Sequence, residues 1–334
     1  MNKPIITKKG SLLERAAEVY DFSARLNARA IPESDLQAPP VLKPVEPAPI
    51  AEAPKPSETI NAVAVPMEVP AAPVARPAPV PPAALPVPGR QAKIDRELLA
   101  ENQLLIPGAA IGVLAEEFRL AKRHLLLTAR QLNKQEPDKA RTILVCSAKP
   151  GDGKTYCAIN LAISMAAERD TRVLLVDADF AKPGIMARLG VSDGPGLLDA
   201  LGDPAIDIEK CVVGTDIPNL SLLPAGAQTN ADVELIASGR TPDLIARLLA
   251  ADPDRVVIFD SPPALSASPA AVLALHVGQV MLVVRADKTT EGEIRDTVQR
   301  LEGCEHIQLL LNSVAFAPGG DRFGSYYGQE DEGQ

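Results

Sequence analysis

The sequence predicts an α/β fold, a mainly parallel sheet flanked by helices, and three observations carry that expectation. Short apolar runs, ILV at 143–145, RVLLVD at 172–177, RVVIFD at 255–260, QVMLVVR at 279–285 and HIQLLLN at 306–312, are separated by stretches of helical spacing. That alternation is the mark of βαβ units. A glycine-rich turn ending in Lys154 follows the first run, and the next two runs end in Asp177 and Asp260. Such sheets gather ligands at the carboxyl ends of their strands.

The chain has 334 residues, more than one ordinary domain, with a composition that changes along its length. Aromatic residues make up 3% and tryptophan is absent, so the core must be aliphatic. A net charge of -9 speaks against a nucleic-acid-binding surface. Cys146, Cys157, Cys211 and Cys304 show no CxxC spacing and are expected to be buried thiols in a reducing compartment. No stretch of about 18 uncharged apolar residues occurs, so no membrane span is expected and a cytoplasmic location is.

Four regions follow in order. In residues 1–31, Ser11 and Glu14 have capping-box spacing, and Leu12, Leu13, Ala16, Val19, Tyr20 and Leu26 share a side of the helix they would open. A lone helix of that length is marginal in water, so its apolar face is expected to dock, on a partner or on its own domain. Residues 32–90 hold seventeen of the 32 prolines and many alanines, a composition expected to stay disordered and act as a spacer. The third region, 91–316, carries the strands. The fourth, 317–334, lacks apolar periodicity, ends in acids and is expected to be a flexible tail, yet it holds Tyr326 and Tyr327, two of the chain's four tyrosines.

Within the third region, two helical runs are predicted in 94–132, broken near Pro107-Gly108. In the second, Glu116, Arg119 and Lys122 recur at i, i+3, i+6 and share a face. The turn at 148–155, AKPGDGKT, fits G-x-x-x-x-G-K-[ST] except that Ala148 replaces the first glycine. Gly151 and Gly153 permit the inward turn that presents N–H groups to an anion. Lys154 would reach the β/γ-phosphates of a nucleotide and the Thr155 hydroxyl would serve Mg²⁺. The set expected to cradle it is Pro150, Gly151, Asp152, Gly153, Lys154, Thr155 and, opening the helix, Tyr156. Asp179 follows Asp177 by two residues. Three acids converging on the loop suit Mg²⁺, which favours hard oxygen ligands and keeps several waters.

These motifs, SAKPGDGKT (147–155), VLLVDADFAKP (173–183) and VVIFDSPP (256–263), with GLLDAL, NLSLLPAG, DVELIAS and the tyrosine-bearing tail, resemble the bacterial tyrosine kinases, over roughly residues 94–334. Within that family the chain is most similar to the separate tyrosine autokinases of exosortase-associated exopolysaccharide loci. The resemblance implies a P-loop NTPase fold of ParA/MinD-like type, ATP and Mg²⁺ as cofactors, and autophosphorylation of Tyr326 and Tyr327 in trans. It implies that Lys154 neutralises the transferred phosphate, that Asp177 orients or deprotonates the attacking phenol, and that Asp179 and Asp260 act on the metal and its waters, with Thr155, Asp177 and Asp260 as the metal set. It further implies a ring-shaped homo-oligomer joined through Glu116, Arg119 and Lys122, and a membrane-spanning chain-length-determinant protein as activator that recruits the kinase to the inner face of the plasma membrane. The output would be control of exopolysaccharide polymerisation and export.

Three positions depart from the family pattern. Lys122 replaces an arginine, Ala181 stands where an arginine is common, and the tail has a single tyrosine pair. The alternative is a ParA/MinD-type ATPase acting as a positioning switch. Lys149 stands where that group carries its signature lysine, whereas Pro150 and the acidic tail fit it poorly. A non-catalytic, ATP-binding scaffold is a third option.

Overall fold

The computed structural model of the chain describes residues 89–314. The expected N-terminal helix, all but the last two residues of the Pro/Ala spacer, Tyr326 and Tyr327 lie outside the described residues. Eight strands form one sheet: β1 (Arg90–Ala92), β2 (Thr142–Ser147), β3 (Arg172–Asp177), β4 (Val213–Thr215), β5 (Leu220–Leu223), β6 (Arg255–Asp260), β7 (Gln279–Arg285) and β8 (Ile307–Asn312). Their order is β1-β4-β5-β3-β6-β2-β7-β8. All pairings are parallel except β4 with β5. The long strands begin and end close to where their apolar runs predict. The first strand opens at Arg90, one residue inside the stretch read as spacer.

The period-two alternation of a strand sends successive side chains to opposite faces. In β2 and β3, Leu144, Cys146, Leu174 and Val176 join an apolar cluster on one face, while Ile143, Val145, Val173 and Leu175 join a second on the other. Burial on both faces explains why these strands read as continuous apolar runs.

Helices cover both faces. Helix α1 (Arg96–Glu101) is capped by Asp95, whose carboxylate accepts from the Glu97 and Leu98 amides at 2.9 and 3.2 Å. Helix α2 (Val113–Leu132) follows a break in which Gly108 has φ +82°, and it buries Phe118 and Leu125 against α3 (Lys154–Ala166). Short helices α4 (Ile185–Arg188), α5 (Leu197–Gly202), α6 (Ile208–Cys211) and α7 (Asp232–Ile236) fill the crossovers toward β4 and β6. Helix α8 (Arg240–Ala250) precedes β6, α9 (Pro269–Ala274) follows it, and α10 (Glu291–Arg300) opens with a capping box between Thr290 and Glu293. All four cysteines are buried and free. Burial first, and then the Asp260 charge, pushes the Cys146 and Cys157 thiols up to about 12, so neither is a ready nucleophile.

The register fixes where chemistry can occur. Asp177 and Asp260 are direct partners across β3 and β6, and Val145 of β2 is level with Asp260. The turn leaving β2 therefore emerges beside both acids. Among the described residues, no helix is long and apolar enough to cross a membrane.

Candidate active site

The 148–155 turn is held from several sides. Gly151 and Gly153 take φ +88° and +99°, a region a side chain would strain. The Lys149 amide donates to Asp152 at 3.1 Å, and the Ser147 hydroxyl donates to the Lys149 carbonyl at 2.9 Å. Two further donors come from the ends of neighbouring strands. Arg285 donates to the Gly151 carbonyl at 2.8 Å and Asn312 to the Asp152 carbonyl at 2.9 Å. They fix the peptide planes of a loop whose N–H groups an anion would meet at the head of α3.

Lys154 is 9% exposed, and its ammonium is paired with the Asp179 carboxylate. It also lies 3.7 Å from Asp260 and 3.2 Å from the Thr155 hydroxyl. Asp177 and Asp260 are fully buried and Asp179 nearly so. The structure thus brings Asp179 and Asp260 to Lys154, with Asp177 beside Asp260 as its partner across the sheet, and the three acids are in different states. Asp177 accepts backbone N–H groups on both oxygens: Gly184 at 2.9 Å, Ile185 at 3.0 Å and Asp179 at 3.3 Å. Burial raises its pKa, and the Ile185, Gly184 and Asp179 amides oppose the rise.

Asp260 has no such backbone donors. Neither of its oxygens has a hydrogen-bond partner. Burial pushes the carboxyl up to about 7, with Lys154, and then Thr155, pulling it back and the charges of Asp177 and Asp179 adding to the rise. A buried carboxylate without hydrogen bonds is costly unless something completes it. An oxygen-seeking cation held beside Thr155 would do so, and the donor set therefore fits a divalent metal with a nucleotide. Among the described residues, no group of three His, Cys, Asp or Glu side chains is placed to hold a metal by itself.

Other predicted residues are placed differently. The Tyr156 phenol donates to the Gln103 carbonyl at 3.0 Å, which ties it to the segment before α2. Lys149 pairs with Glu293 of α10. Glu116 and Arg119 pair with each other on α2, whereas Lys122 is only 8% exposed and binds inward, to the Ser164 carbonyl at 3.0 Å and Glu168 at 2.6 Å. Arg285 and Asn312 were not singled out from sequence. Each is the polar last residue of an apolar strand, the same signal that marked the acids. Beside the turn, a cavity of about 400 Å³ is lined by Leu114, Phe118, Tyr156, Leu310 and Asn312 among others.

Residues 140–308, about half of the chain, match the family described as AAA domain. A protein of Ralstonia nicotianae provisionally named tyrosine-protein kinase EpsB is 34% identical over 192 residues, 57% of this chain and 24% of EpsB. Tyrosine-protein kinase YwqD of Bacillus subtilis is 28% identical over 193 residues, 57% of this chain and 79% of YwqD. Among solved structures, the BceF tyrosine kinase domain superposes with a TM-score of 0.50 at 30% identity, covering 58% of this chain and 76% of that one. The match covers about a quarter of EpsB's length and not the whole relative. A P-loop fold of this kind implies ATP with a divalent metal. With this turn, these strand-end acids and these relatives, the chain belongs to the AAA-domain family of P-loop proteins and, within it, to the bacterial tyrosine-protein kinases.

Proposed function

We propose that the chain is an ATP-dependent protein-tyrosine autokinase that phosphorylates its own C-terminal Tyr326 and Tyr327 in trans. The observation that carries the proposal is the buried Asp260 carboxylate, left without a hydrogen bond 3.7 Å from Lys154 at the root of the phosphate-binding turn. When bound, Mg²⁺ and ATP supply the phosphoryl group and the Lewis acid that neutralises its charge. Thr155, Asp177 and Asp260 would hold the metal and its waters, with Asp179 beside them. Lys154, now held by Asp179, would exchange that partner for the transferred phosphate. Asp177 would orient or deprotonate the incoming phenol. A free phenol ionises near pH 10, so a fixed carboxylate beside it is what neutral-pH transfer requires. The three N–H groups on Asp177 hold that carboxylate in one orientation.

Glu116 and Arg119 belong, in this reading, to a face that joins subunits into a ring and delivers one tail to a neighbouring site. Lys122 would support that face from inside. A 91–316 kinase domain would hang from the 32–90 spacer, with the 1–31 helix free to dock. The partner is proposed to be a membrane chain-length-determinant protein that recruits the kinase to the inner face of the plasma membrane, and the output is control of exopolysaccharide polymerisation and export. Each phosphate would add about −1.5 to −2 charges to a tail that is already acidic, which would loosen its docking. Sizing the protein before and after ATP treatment tests that switch, and unchanged assembly removes it.

Incubation of the purified full chain with Mg·ATP, followed by mass spectrometry of the tail, tests the activity. Phosphate on Tyr326 or Tyr327 that is absent in Lys154→Met is expected. ATP hydrolysis with no phosphotyrosine would instead support the ParA/MinD-type switch.

A further inference from the structure

The helix that begins at the phosphate-binding turn carries polar residues at every fourth position. Tyr156, Asn160, Ser164 and, just past the helix end, Glu168 share one face of α3 and its extension. The side chains of Tyr156, Asn160 and Glu168, and the backbone carbonyl of Ser164, grip the same segment, residues 103–122. The Tyr156 hydroxyl donates to the Gln103 carbonyl at 3.0 Å, and the Leu105 amide donates to Asn160 at 2.7 Å. Lys122 donates to the Ser164 carbonyl at 3.0 Å and pairs with Glu168 at 2.6 Å. Asn160 is wholly buried, with an Nδ2 that finds no partner of bonding geometry.

Apolar packing anchors the front of this segment at Leu104, with Leu105 and Leu114 packed beside it, but does not cover the stretch between them. A cavity of about 610 Å³ lies between residues 104–115 and the far half of α3, lined by Leu105, Ile163, Ala166 and Ile217 among others. Ile106 and Ile111, which line it, remain more than a third exposed. At the head of the segment, Gln103 takes φ +55°, a sparsely populated conformation for a residue with a side chain, at the point where Tyr156 holds its carbonyl. A stretch held by a polar stripe over a cavity can shift as a unit, whereas a close-packed one cannot.

We propose that Tyr156, Asn160, Ser164 and Glu168 form a rail on α3 that positions residues 103–122 against the phosphate-binding turn, so that nucleotide occupancy and the Glu116/Arg119 face influence each other. Asn160 is the positioning residue of the rail. It stands six residues beyond Lys154 on the same helix and holds the segment's backbone directly. The inference rests on the proposed subunit-contact role of Glu116 and Arg119, and it deepens that reading by naming the link. Such coupling is reciprocal: whatever orders the segment also favours the nucleotide-bound turn.

Hydrogen–deuterium exchange of the full chain, with and without Mg·ADP, tests the link. In the wild type, Mg·ADP is expected to slow exchange of residues 103–112 by about threefold or more. In Asn160→Ala that response should fall below about 1.5-fold, while the affinity for Mg·ADP stays within about threefold of the wild type. Lys122→Met, which removes the rail's other grip, should blunt the response at residues 113–122 and serves if Asn160→Ala fails to fold. An unresponsive segment in wild-type protein that binds Mg·ADP, or a full response in the folded variants, would overturn the rail. Absence of Mg·ADP binding in the wild type would overturn the nucleotide site itself, and the rail with it, so the two failures are distinguishable.

Discussion

At the amino ends of the central strands, Arg255 of β6 donates to both oxygens of Glu209 at 2.5 and 3.0 Å and to the Leu248 carbonyl at 2.9 Å. Close by, Arg172 forks onto Asp252 at 2.9 and 3.0 Å, and Arg141 reaches the Leu249, Asp252 and Pro253 carbonyls at the end of α8. At the carboxyl ends of the same strands, two aspartates flank one lysine, a third sits beside Asp260, and Asp260 is left without a hydrogen bond. Both ends bury charge, but only the first completes it. Local rules are broken where a ligand is expected to supply the missing partner, and kept where the chain alone must be stable.

The largest expected effect lies at the incomplete end. Lys154→Met should lower phosphotyrosine formation by about a hundred- to a thousandfold, read by mass spectrometry on the folded fraction, because the substitution also leaves the buried Asp179 without its partner. At the complete end the pattern should reverse. Arg255→Ala leaves Glu209 without its partner and should destabilise the protein by about 3 kcal/mol in urea unfolding, while residual folded protein keeps its phosphotransfer. Next, Gly153→Ala should weaken nucleotide binding about tenfold by calorimetry. Its φ of +99° strains a side chain, and an added Cβ would collide with the Asn312 amide. The smallest effect is expected far from both ends. Arg295→Ala removes an exposed i,i+4 pair with Glu291 and should move the melting midpoint by about 1 °C or less.

Much of this contrast was legible in the sequence, because long strands buried on both faces announce themselves. β3, β6 and β7 coincide with RVLLVD, RVVIFD and QVMLVVR. β1, β4 and β5 did not announce themselves. They are three or four residues long, Gly214 and Ser221 interrupt their apolar character, and β1 finds β4 more than a hundred residues away. The acids and the turn were readable because carboxyl strand ends collect ligands. The turn's supports, Arg285 and Asn312, were not, since which strand lies beside which is a property of topology. Helical spacing placed Lys122 with Glu116 and Arg119 but could not show its long stem carrying the ammonium inward to Ser164. The same limit applies to Tyr156, whose position in the motif says nothing of Gln103.

Asp260 tests the comparison most directly, because its two roles pull apart. The unfolded carboxyl ionises near pH 4, whereas the folded one holds its proton to about 7. Between those values the folded state binds more protons, so wild-type stability relative to Asp260→Asn should fall as pH rises and level off above about 7. The decisive measurement is therefore made on nucleotide-free Asp260→Asn at pH 8, with melting midpoint and subsequent Mg·ATP-dependent phosphotyrosine read on the same preparation. The expected result is a midpoint equal to or above that of the wild type, with phosphotransfer reduced at least about a hundredfold. A midpoint several degrees lower, with phosphotransfer intact, would contradict the assignment of the incomplete end to chemistry.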